Sequence, residues 1–239
     1  MPRVYCPMLL TVGETVMLPD LAAHHLLHVL RLGHGDALTL FNNQGGEYAA
    51  QILQTSRRTV TVQIQAHHSI ERESNVSVHL GQVISKGDRM DWLLQKVTEL
   101  GVSVVTPLMS QRCNVKLDPQ RLLKRQMHWL GVIASACEQC GRNRLPQLNP
   151  VISLAEWVPH TEQATCFVLQ PSMCKTDLAQ WEQPRCVRLL VGPEGGLTDH
   201  EIALAKQHQY HDLSLGPRVL RTETAGITAV AWCQYQWDR

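Results

Sequence analysis

The sequence predicts an α/β protein in which a parallel sheet domain follows a smaller, mostly β unit. From residue 76 onward, apolar strand patterns alternate with helical patterns, the order that builds a parallel sheet with crossover helices. Two of these apolar runs, 187–191 and 213–215, break at Gly192 and Gly216. Before residue 70, short runs in which apolar and polar residues alternate are separated by turn residues, a pattern typical of β structure.

Composition limits the classes of protein to which the chain can belong. Its 239 residues, 44% of them hydrophobic, suit one large or two small domains with buried cores. The formal net charge of +1 gives no general attraction to nucleic acid, so an RNA site requires a local basic patch. No stretch approaches the roughly 20 apolar residues that cross a bilayer, and no apolar signal segment is evident. With eight cysteines and no such segment, we expect reduced thiols in a soluble, cytoplasmic protein without membrane contact.

Residues 1–70 are expected to form the small β unit. A helix is predicted from Asp20, as its cap, to about Leu30. Closing the short strands into a barrel would remove exposed sheet edges. The predicted strands lie near Val4 and at 15–18, 37–41, 48–53 and 59–65.

Residues 75–239 are expected to form the second domain, after a polar and charged linker at 69–75. Capping boxes at Ser153 with Glu156 and at Thr198 with Glu201 each predict the start of a helix. The other predicted helices are 88–100, 118–140 and 222–235. The predicted strands are 76–84, 102–108, 166–169, 187–191 and 213–215.

Two groups of side chains imitate metal sites, but we expect no metal. Cys137 and Cys140 have no second cysteine pair at ligand spacing, and Cys137 is predicted to be a small core residue of the helix at 118–140. The cluster of His24, His25 and His28 has no evident carboxylate or cysteine partner. The predicted apolar face of the long helix consists of Leu123, Met127, Leu130, Ala134 and Cys137.

The glycine turns after the strands 187–191 and 213–215 predict a ligand cleft. Glycines at 192, 195 and 196 lack Cβ atoms where the backbone turns, so a ligand can lie against the main chain. Adjacent strands that end in such loops make a cleft at the carboxyl edge of the sheet, where open α/β folds bind ligands. Taken alone, each loop would also suit an ordinary tight turn.

Four segments of the chain together carry a family resemblance. They are GPEGGLTDHE at 192–201, LGPRVLRTETA at 215–225, KGDRMDW with KVTELGV between 86 and 102, and EQCGR at 138–142. In this order they resemble the bacterial small-subunit ribosomal RNA uridine N3-methyltransferases, the RsmE family of the SPOUT class. The resemblance covers nearly the whole chain.

The resemblance implies properties that periodicity does not predict. It implies S-adenosylmethionine as the cofactor, a C-terminal trefoil knot, and an N-terminal PUA-like barrel that helps to bind RNA. A knot contradicts the general expectation that chains do not thread their own loops. The resemblance also implies a homodimer that methylates 16S ribosomal RNA in the assembled 30S subunit, with one protomer's barrel able to serve the other's active site.

The methyl donor is expected at both glycine loops and at the end of the strand 166–169, which offer backbone partners and apolar walls. Glu194 is expected to orient its loop by accepting backbone N–H groups, and contact with the donor's ammonium group is the alternative. The predicted donor contacts are Leu169, Gln170, Gly192, Pro193, Glu194, Gly195, Leu215, Gly216, Val219 and Leu220.

Methylation of uridine N3 requires a held donor, a uracil turned out of its stack and help in losing the N3 proton. The resulting anion spreads onto O2 and O4, so a nearby arginine would favour it without taking the proton. Arg221 is the catalytic candidate because it lies between Leu220 and Thr222 and matches the arginine of the family's LRxETA motif. The alternative is a structural ion pair with Glu194 or Glu223. No residue is assigned as a catalytic base.

Basic residues spread along the chain are candidate contacts to RNA phosphates. Lys86 and Arg89 stand at the start of a predicted helix, where cations oppose the helix dipole and therefore call for a compensating partner. Phosphate is one such partner, and a nearby carboxylate is the other. The candidates are Arg3, Lys86, Arg89, Arg112 and Arg142, accompanied by Lys116 and Arg144.

Three other functions are alternatives to uridine N3 methylation. Knotted methyltransferases also modify ribose 2′-OH groups and guanine, but the LGPRVLRTETA form favours the uridine N3 branch. A non-catalytic RNA-binding module would not require intact glycines in both loops. A phosphate-loop nucleotidase would require a lysine followed by Ser or Thr after the loop, and that pair is absent there.

Overall fold

The computed structural model describes residues 1–113, 118–161, 163–172 and 176–238, which form two compact units. One unit comprises Met1–Glu73 together with Ala134–Leu145, and the other comprises Ser74–Ile133 together with Pro146–Arg239. The two units therefore interleave in sequence. The division into domains at 1–70 and 75–239 stays a prediction.

The first unit is built on a five-stranded sheet in the order β1-β3-β4-β5-β2. β1 pairs with β3 in parallel, and the other neighbours are antiparallel. On β5 the buried residues Val60, Val62 and Ile64 alternate with more exposed ones, so one face of the strand lies in the core. The strands are β1 (Arg3–Tyr5), β2 (Thr15–Met17), β3 (Ala37–Phe41), β4 (Glu47–Thr55) and β5 (Val60–His68).

The helix of the first unit begins differently from the prediction. Helix α1 (Asp20–His24) continues as a π-helix, His25–Val29. Pro19, not Asp20, is the N-cap, and no side chain caps the helix. Asp20 is the first helical residue, where its carboxylate is favourable next to the positive end of the helix dipole.

The second unit contains a parallel sheet in the order β12-β10-β11-β6-β7-β8, with β9 also paired to β7. Every paired neighbour in it is parallel, so the predicted α/β class is confirmed. The strands are β6 (Ser77–Val83), β7 (Val104–Met109), β8 (Gln147–Leu148), β9 (Ile152–Ser153), β10 (Thr165–Leu169), β11 (Cys186–Val191) and β12 (His211–Leu213). The helices are α2 (Arg89–Glu99), α3 (Pro119–Cys140), α4 (Leu154–Trp157), α5 (Asp199–Gln207) and α6 (Thr222–Trp237), with a 3-10 turn at Leu178–Gln180. The part of α3 from Ala134 onward belongs to the first unit.

Helices cover both faces of this sheet. A Cβ on Gly81 would lie 2.5 Å from the ring of Trp157 in α4, so this face of β6 packs against α4. A Cβ on Gly226 of α6 would meet Gln82 and also Leu80, the residues on either side of Gly81. Because neighbouring residues of a strand point to opposite faces, α4 and α6 lie on opposite sides of β6.

Two details of the second unit correct the prediction from sequence. The last strand ends at Leu213, not at 215, because pairing with β10 selects the polar residues His211 and Asp212, and Leu215 therefore lies in the following loop. The predicted apolar face of α3 is wrong in its first half, since Leu123 and Met127 are 63% and 64% exposed. Among the described side chains of α3, the buried ones are Trp129 and Ile133 in the second unit and Ala136 and Cys137 in the first.

Cys137 is buried as predicted, and burial raises the pKa of its thiol to about 12. Such a thiol stays protonated at neutral pH and packs as a small apolar group. None of the helices in the described part of the chain has the length and apolar content needed to span a membrane.

Candidate functional site

A cavity of about 330 Å³ lies where three adjacent parallel strands end. The strands β12, β10 and β11 are neighbours in the sheet, and Leu213, Leu169 and Val191, their last residues, all line the cavity. The loops that follow these strands form the remaining walls. The site therefore occupies the carboxyl edge of the sheet, as the glycine loops predict.

The structure brings nearly all of the predicted donor contacts together. Among the ten, only Gly195 does not line the cavity. Several lining residues were not among the predicted contacts, most of them because they are apolar or lie inside predicted strands or helices. Gly196 and Arg218 are exceptions, since both lie in the glycine loops that the sequence shows. The missed residues are Pro171, Val191, Gly196, Leu197, Leu213, Arg218, Thr222 and Ala225.

The first loop is a tight turn. The Gly196 amide donates to the carbonyl of Pro193 at 2.9 Å, and Gly196 has a φ of +69°, which favours glycine. A Cβ on Gly192 would lie 2.9 Å from Cγ of Leu197, so a larger residue would displace the loop itself. Thr198 and Glu201 form the predicted capping box that ends the turn and begins α5.

A buried chain of hydrogen bonds joins the start of α6 to this loop. The Thr222 hydroxyl donates to the carbonyl oxygen of Gly192 at 2.5 Å and accepts from Nε2 of Gln82 at 2.8 Å. Gln82 is fully buried on β6, next to Val191 of β11 in the strand register. These bonds fix the direction of the Gly192 carbonyl beside the cavity.

Two arginines predicted to contact RNA are bound to this loop. Arg89 Nη1 lies 2.9 Å from a carboxylate oxygen of Glu194, and Arg89 Nε lies 3.9 Å from Glu223. Arg112 Nη1 donates to the carbonyls of Gly195, at 3.0 Å, and Leu197, at 3.4 Å. The compensating partner that Arg89 requires at the start of α2 is therefore a pair of carboxylates.

Arg221 lines the cavity and is exposed. Its predicted alternative, an ion pair with Glu194 or Glu223, is not found among the described residues. Arg89 is the arginine that pairs with these two carboxylates. Arg218, which the sequence reasoning did not single out, lines the same cavity and is also exposed.

Arg3 and Arg142, two of the candidate RNA contacts in the first unit, are extensively bonded within it. The Arg142 guanidinium makes a bidentate pair with Glu73 and its side chain is only 5% exposed. Arg3 pairs with Glu47 at 2.5 Å and donates to Asn143 at 2.6 Å. These contacts favour a structural role for both arginines, because a phosphate would have to displace several partners.

The remaining basic candidates differ in their surroundings. Lys86 is exposed and has no ion pair within the described ranges. Arg144 lies 3.5 Å from Glu71 in the first unit. Lys116 lies outside the described residues.

No group of three or more histidine, cysteine, aspartate or glutamate residues in the described part of the chain could hold a metal ion. The His24 and His28 rings pack against each other with their centroids 4.7 Å apart. The two rings are tilted by 49°, so this is a ring contact between neighbouring helical turns.

Family models match almost the entire chain. A model described as an RNA methyltransferase domain matches residues 72–234, and one described as an RNA methyltransferase PUA domain matches residues 18–65. Ribosomal RNA small subunit methyltransferase E of Buchnera aphidicola subsp. Schizaphis graminum is 36% identical, covering 99% of this chain and 96% of that protein. The protein of the same name from Bacillus subtilis is 30% identical, covering 90% and 88%.

Solved structures of methyltransferases are also similar to this chain over nearly its whole length. A putative methyltransferase from Legionella pneumophila in complex with S-adenosylmethionine has a TM-score of 0.94 and 42% identity, covering 98% of this chain and 96% of that one. A ribosomal RNA small subunit methyltransferase E from Neisseria gonorrhoeae, bound to S-adenosylmethionine, has a TM-score of 0.91 and 38% identity, covering 99% and 98%.

Proposed function

This chain belongs to the ribosomal RNA small subunit methyltransferase E family, and we propose that it methylates N3 of a specific uridine of 16S ribosomal RNA with S-adenosylmethionine as the donor. The observation that carries the proposal is the cavity at the carboxyl ends of β10, β11 and β12, lined by both glycine loops. Two similar structures are described with S-adenosylmethionine bound.

The lining of the cavity fits this donor. Apolar side chains, including Leu169, Leu197 and Leu220, offer walls for the adenine ring. Gly192 and Gly216 leave main-chain groups uncovered by Cβ atoms, and Gly216 has a φ of +113°, which other residues rarely adopt. S-adenosylmethionine supplies an electrophilic methyl group, so what the protein must provide is an oriented uracil that can lose its N3 proton.

Arg221 is proposed as the catalytic residue that stabilises the uracil anion. It lines the cavity, is exposed and is not paired with either nearby carboxylate. Its guanidinium can donate to two oxygens at once, which suits a charge spread over O2 and O4. The proton itself passes to solvent in this proposal, because no base is assigned to it.

The proposed substrate is the assembled 30S subunit in the bacterial cytoplasm, and the proposed state is a homodimer. Exposed apolar residues of the second unit support an interface between two copies. Leu123 and Met127 on α3 are 63% and 64% exposed, and Trp92 on the neighbouring α2 is 46% exposed. His128 of α3 bonds to Asp91 of α2 at 2.6 Å, which links the two helices at that point. Sedimentation equilibrium of the chain and of a Met127→Glu variant measures this association.

The function is tested with tritiated donor and small subunits from cells that lack this methylation. We expect tritium in 16S RNA, released on nuclease digestion as N3-methyluridine. Release as a 2′-O-methylated nucleoside or a methylguanosine would assign a different reaction to the same site. Binding of RNA without any incorporation, under conditions in which the donor binds, would make the protein a non-catalytic module.

A further inference from the structure

Arg89 and Arg112 hold the turn from Glu194 to Leu197 from two sides. We infer that these two residues, the arginine clamp, are positioning residues for the methyl donor and are not contacts to RNA phosphate. The inference rests on the proposed function, since it assumes that the donor binds in the cavity that this turn lines. The charge of the two arginines alone would suggest contacts to RNA phosphate.

Arg89 compensates two carboxylates from different parts of the chain. Glu194 lies in the turn, and Glu223 lies in the first turn of α6. The Glu223 side chain is only 7% exposed, and its Oε2 atom is buried without a hydrogen-bond partner among the described residues. If Arg89 turned toward a phosphate, Glu223 would keep a buried charge with no cation beside it, which is strongly unfavourable.

Arg112 reaches the same turn through the backbone. One guanidinium nitrogen donates to the carbonyls of Gly195 and Leu197, and a Cβ built on Gly195 would lie 3.6 Å from Cβ of Arg112, in ordinary contact. The backbone next to Arg112 is itself anchored, because the Gln111 amide donates to Oε1 of the buried Glu201 at 2.9 Å. The backbone that carries Arg112 is therefore bonded to α5 through Glu201.

The turn needs such support because two of its residues are glycines. Glycine gives the free chain many accessible conformations, so ordering this turn on ligand binding costs more entropy than ordering other residues. A turn already held in place by charged hydrogen bonds avoids part of that cost, and the saving appears as donor affinity. The clamp is thus expected to affect the binding of the donor more than the binding of RNA.

Lys86 provides the matched control. It lies three residues before Arg89, carries the same charge and is exposed, but it has no ion pair within the described ranges and does not line the cavity. Replacing either residue with alanine removes one positive charge from the same segment. Only the Arg89 replacement removes a contact with the turn.

The experiment compares Arg89→Ala, Arg112→Ala and Lys86→Ala in two assays. Calorimetry of S-adenosylmethionine binding to the RNA-free protein should show about a threefold to tenfold loss of affinity for each clamp variant and none for Lys86→Ala. The salt dependence of RNA binding should become shallower by up to about one log–log unit for Lys86→Ala and remain unchanged for the clamp variants. The opposite pattern would overturn the inference.

Further variants separate positioning from general damage to the fold. Arg89→Lys should recover part of the donor affinity, since it keeps the charge but reaches one carboxylate at a time. The loss in Arg89→Ala should be smaller in a Glu194→Ala background, because the two residues act through one contact. If Arg89→Ala does not fold, adding Glu223→Gln removes the uncompensated charge, and the same calorimetry applies.

Hydrogen exchange of the donor-free protein gives a readout that is independent of the ligand. The amides of residues 194–198 should exchange faster in both clamp variants, with unchanged protection in the strands of the sheet. Failure of the wild-type protein to bind the donor would contradict the proposed function, whereas wild-type binding with unaltered clamp variants would contradict only this inference.

Discussion

Arg221 can act on the substrate because neither Glu194 nor Glu223 pairs with its guanidinium. The carboxylates of Glu194 and Glu223, which could have neutralised it, are paired with Arg89 instead. Its guanidinium can therefore meet a charge that develops on the substrate. A charge that forms only in the transition state is where such a preorganised donor accelerates the reaction most.

Replacement of Arg221 should affect catalysis more than binding. We expect Arg221→Ala to reduce the single-turnover rate by about 10²-fold or more, at saturating donor and 30S subunits, because one donor to the developing anion is lost. Arg221→Lys should restore only part of the rate, since it keeps the charge without the planar fork. A wild-type rate across a pH series, with a change in apparent affinity alone, would make Arg221 a binding contact.

His79 is held neutral inside the second unit. Burial, followed by the nearby charge of Arg188, lowers the pKa of its imidazole from 6.5 to about 3. The Arg188 guanidinium can only donate to His79 Nδ1, at 3.0 Å. Nε2 bonds to the Thr106 hydroxyl at 2.7 Å and lies 3.3 Å from the indole nitrogen of Trp157. Arg188 also lies 3.9 Å above the ring of Trp157, a cation–π contact in place of a carboxylate partner.

The depressed pKa of His79 predicts a loss of stability in acid. Above pH 6.5 the ring is neutral in both folded and unfolded chains, and below it only the unfolded chain gains the proton until about pH 3. The free energy of unfolding should therefore fall by up to about 1.4 kcal/mol per pH unit in this window. Urea titrations between pH 7 and 4 measure the slope. A His79→Gln variant should show a shallower slope, and an equal slope in both proteins would refute the assignment.

In the central strand β6, the absence of a side chain at Gly81 allows a helix to pack closely against the sheet. The ring of Trp157, which is 2% exposed, occupies the space where a Cβ of residue 81 would be, so α4 can lie directly on the sheet. Gly226 has the same function on the opposite face, where a Cβ would lie 2.8 Å from Gln82 and 2.9 Å from Leu93. Close helix-to-sheet packing on both faces is thus built on two glycines.

Alanine at two glycines should change stability in opposite directions. Gly81→Ala is expected to lower the free energy of unfolding by about 1–3 kcal/mol, because the buried Trp157 ring must shift. Gly131→Ala, on an exposed part of α3 where a Cβ meets nothing within 4 Å, should raise it by up to about 1 kcal/mol. Urea unfolding of both variants tests the pair, and equal effects of the same sign would contradict the packing argument.

At the scale of the whole molecule, the two units are not consecutive pieces of chain. Residues 134–145 belong to the first unit, although they follow the start of the second. Within the first unit, Glu138 accepts the amide hydrogen of Tyr5, Asn143 accepts from Arg3, and Arg142 pairs with Glu73. The β unit therefore completes its hydrogen bonds with a distant segment.

A fragment that ends after residue 75 should not form the native first unit. It lacks 134–145, so the Tyr5 amide loses its partner and the carboxylate of Glu73 loses its bidentate arginine. We expect poor dispersion in its amide NMR spectrum and no cooperative thermal transition, in contrast to the full chain. A well-dispersed spectrum and a sharp transition would show that the segment is dispensable.

The sequence by itself determined the parallel α/β class, both capping boxes and the position of the cavity at the two glycine loops, while the individual donor contacts came from the family resemblance. Each of these features is encoded locally, by the period of apolar residues, by a cap three residues from its partner, or by glycine at the end of a strand. Strands of only two residues, β8 and β9, carry too little periodicity to be predicted. The trefoil knot stays a prediction from the family resemblance.

Only the tertiary structure decided what the charged residues contact. Arg89 and Glu194 are 105 positions apart, and Arg142 and Glu73 are 69 apart, so no local pattern indicates that they pair. An isolated arginine in a sequence suggests a phosphate contact as readily as an ion pair, because both satisfy the same guanidinium. The exposure of Leu123 and Met127 on α3 could not be predicted for a similar reason. The packing of the folded chain, and not the spacing of apolar residues, selects which side of a helix is buried.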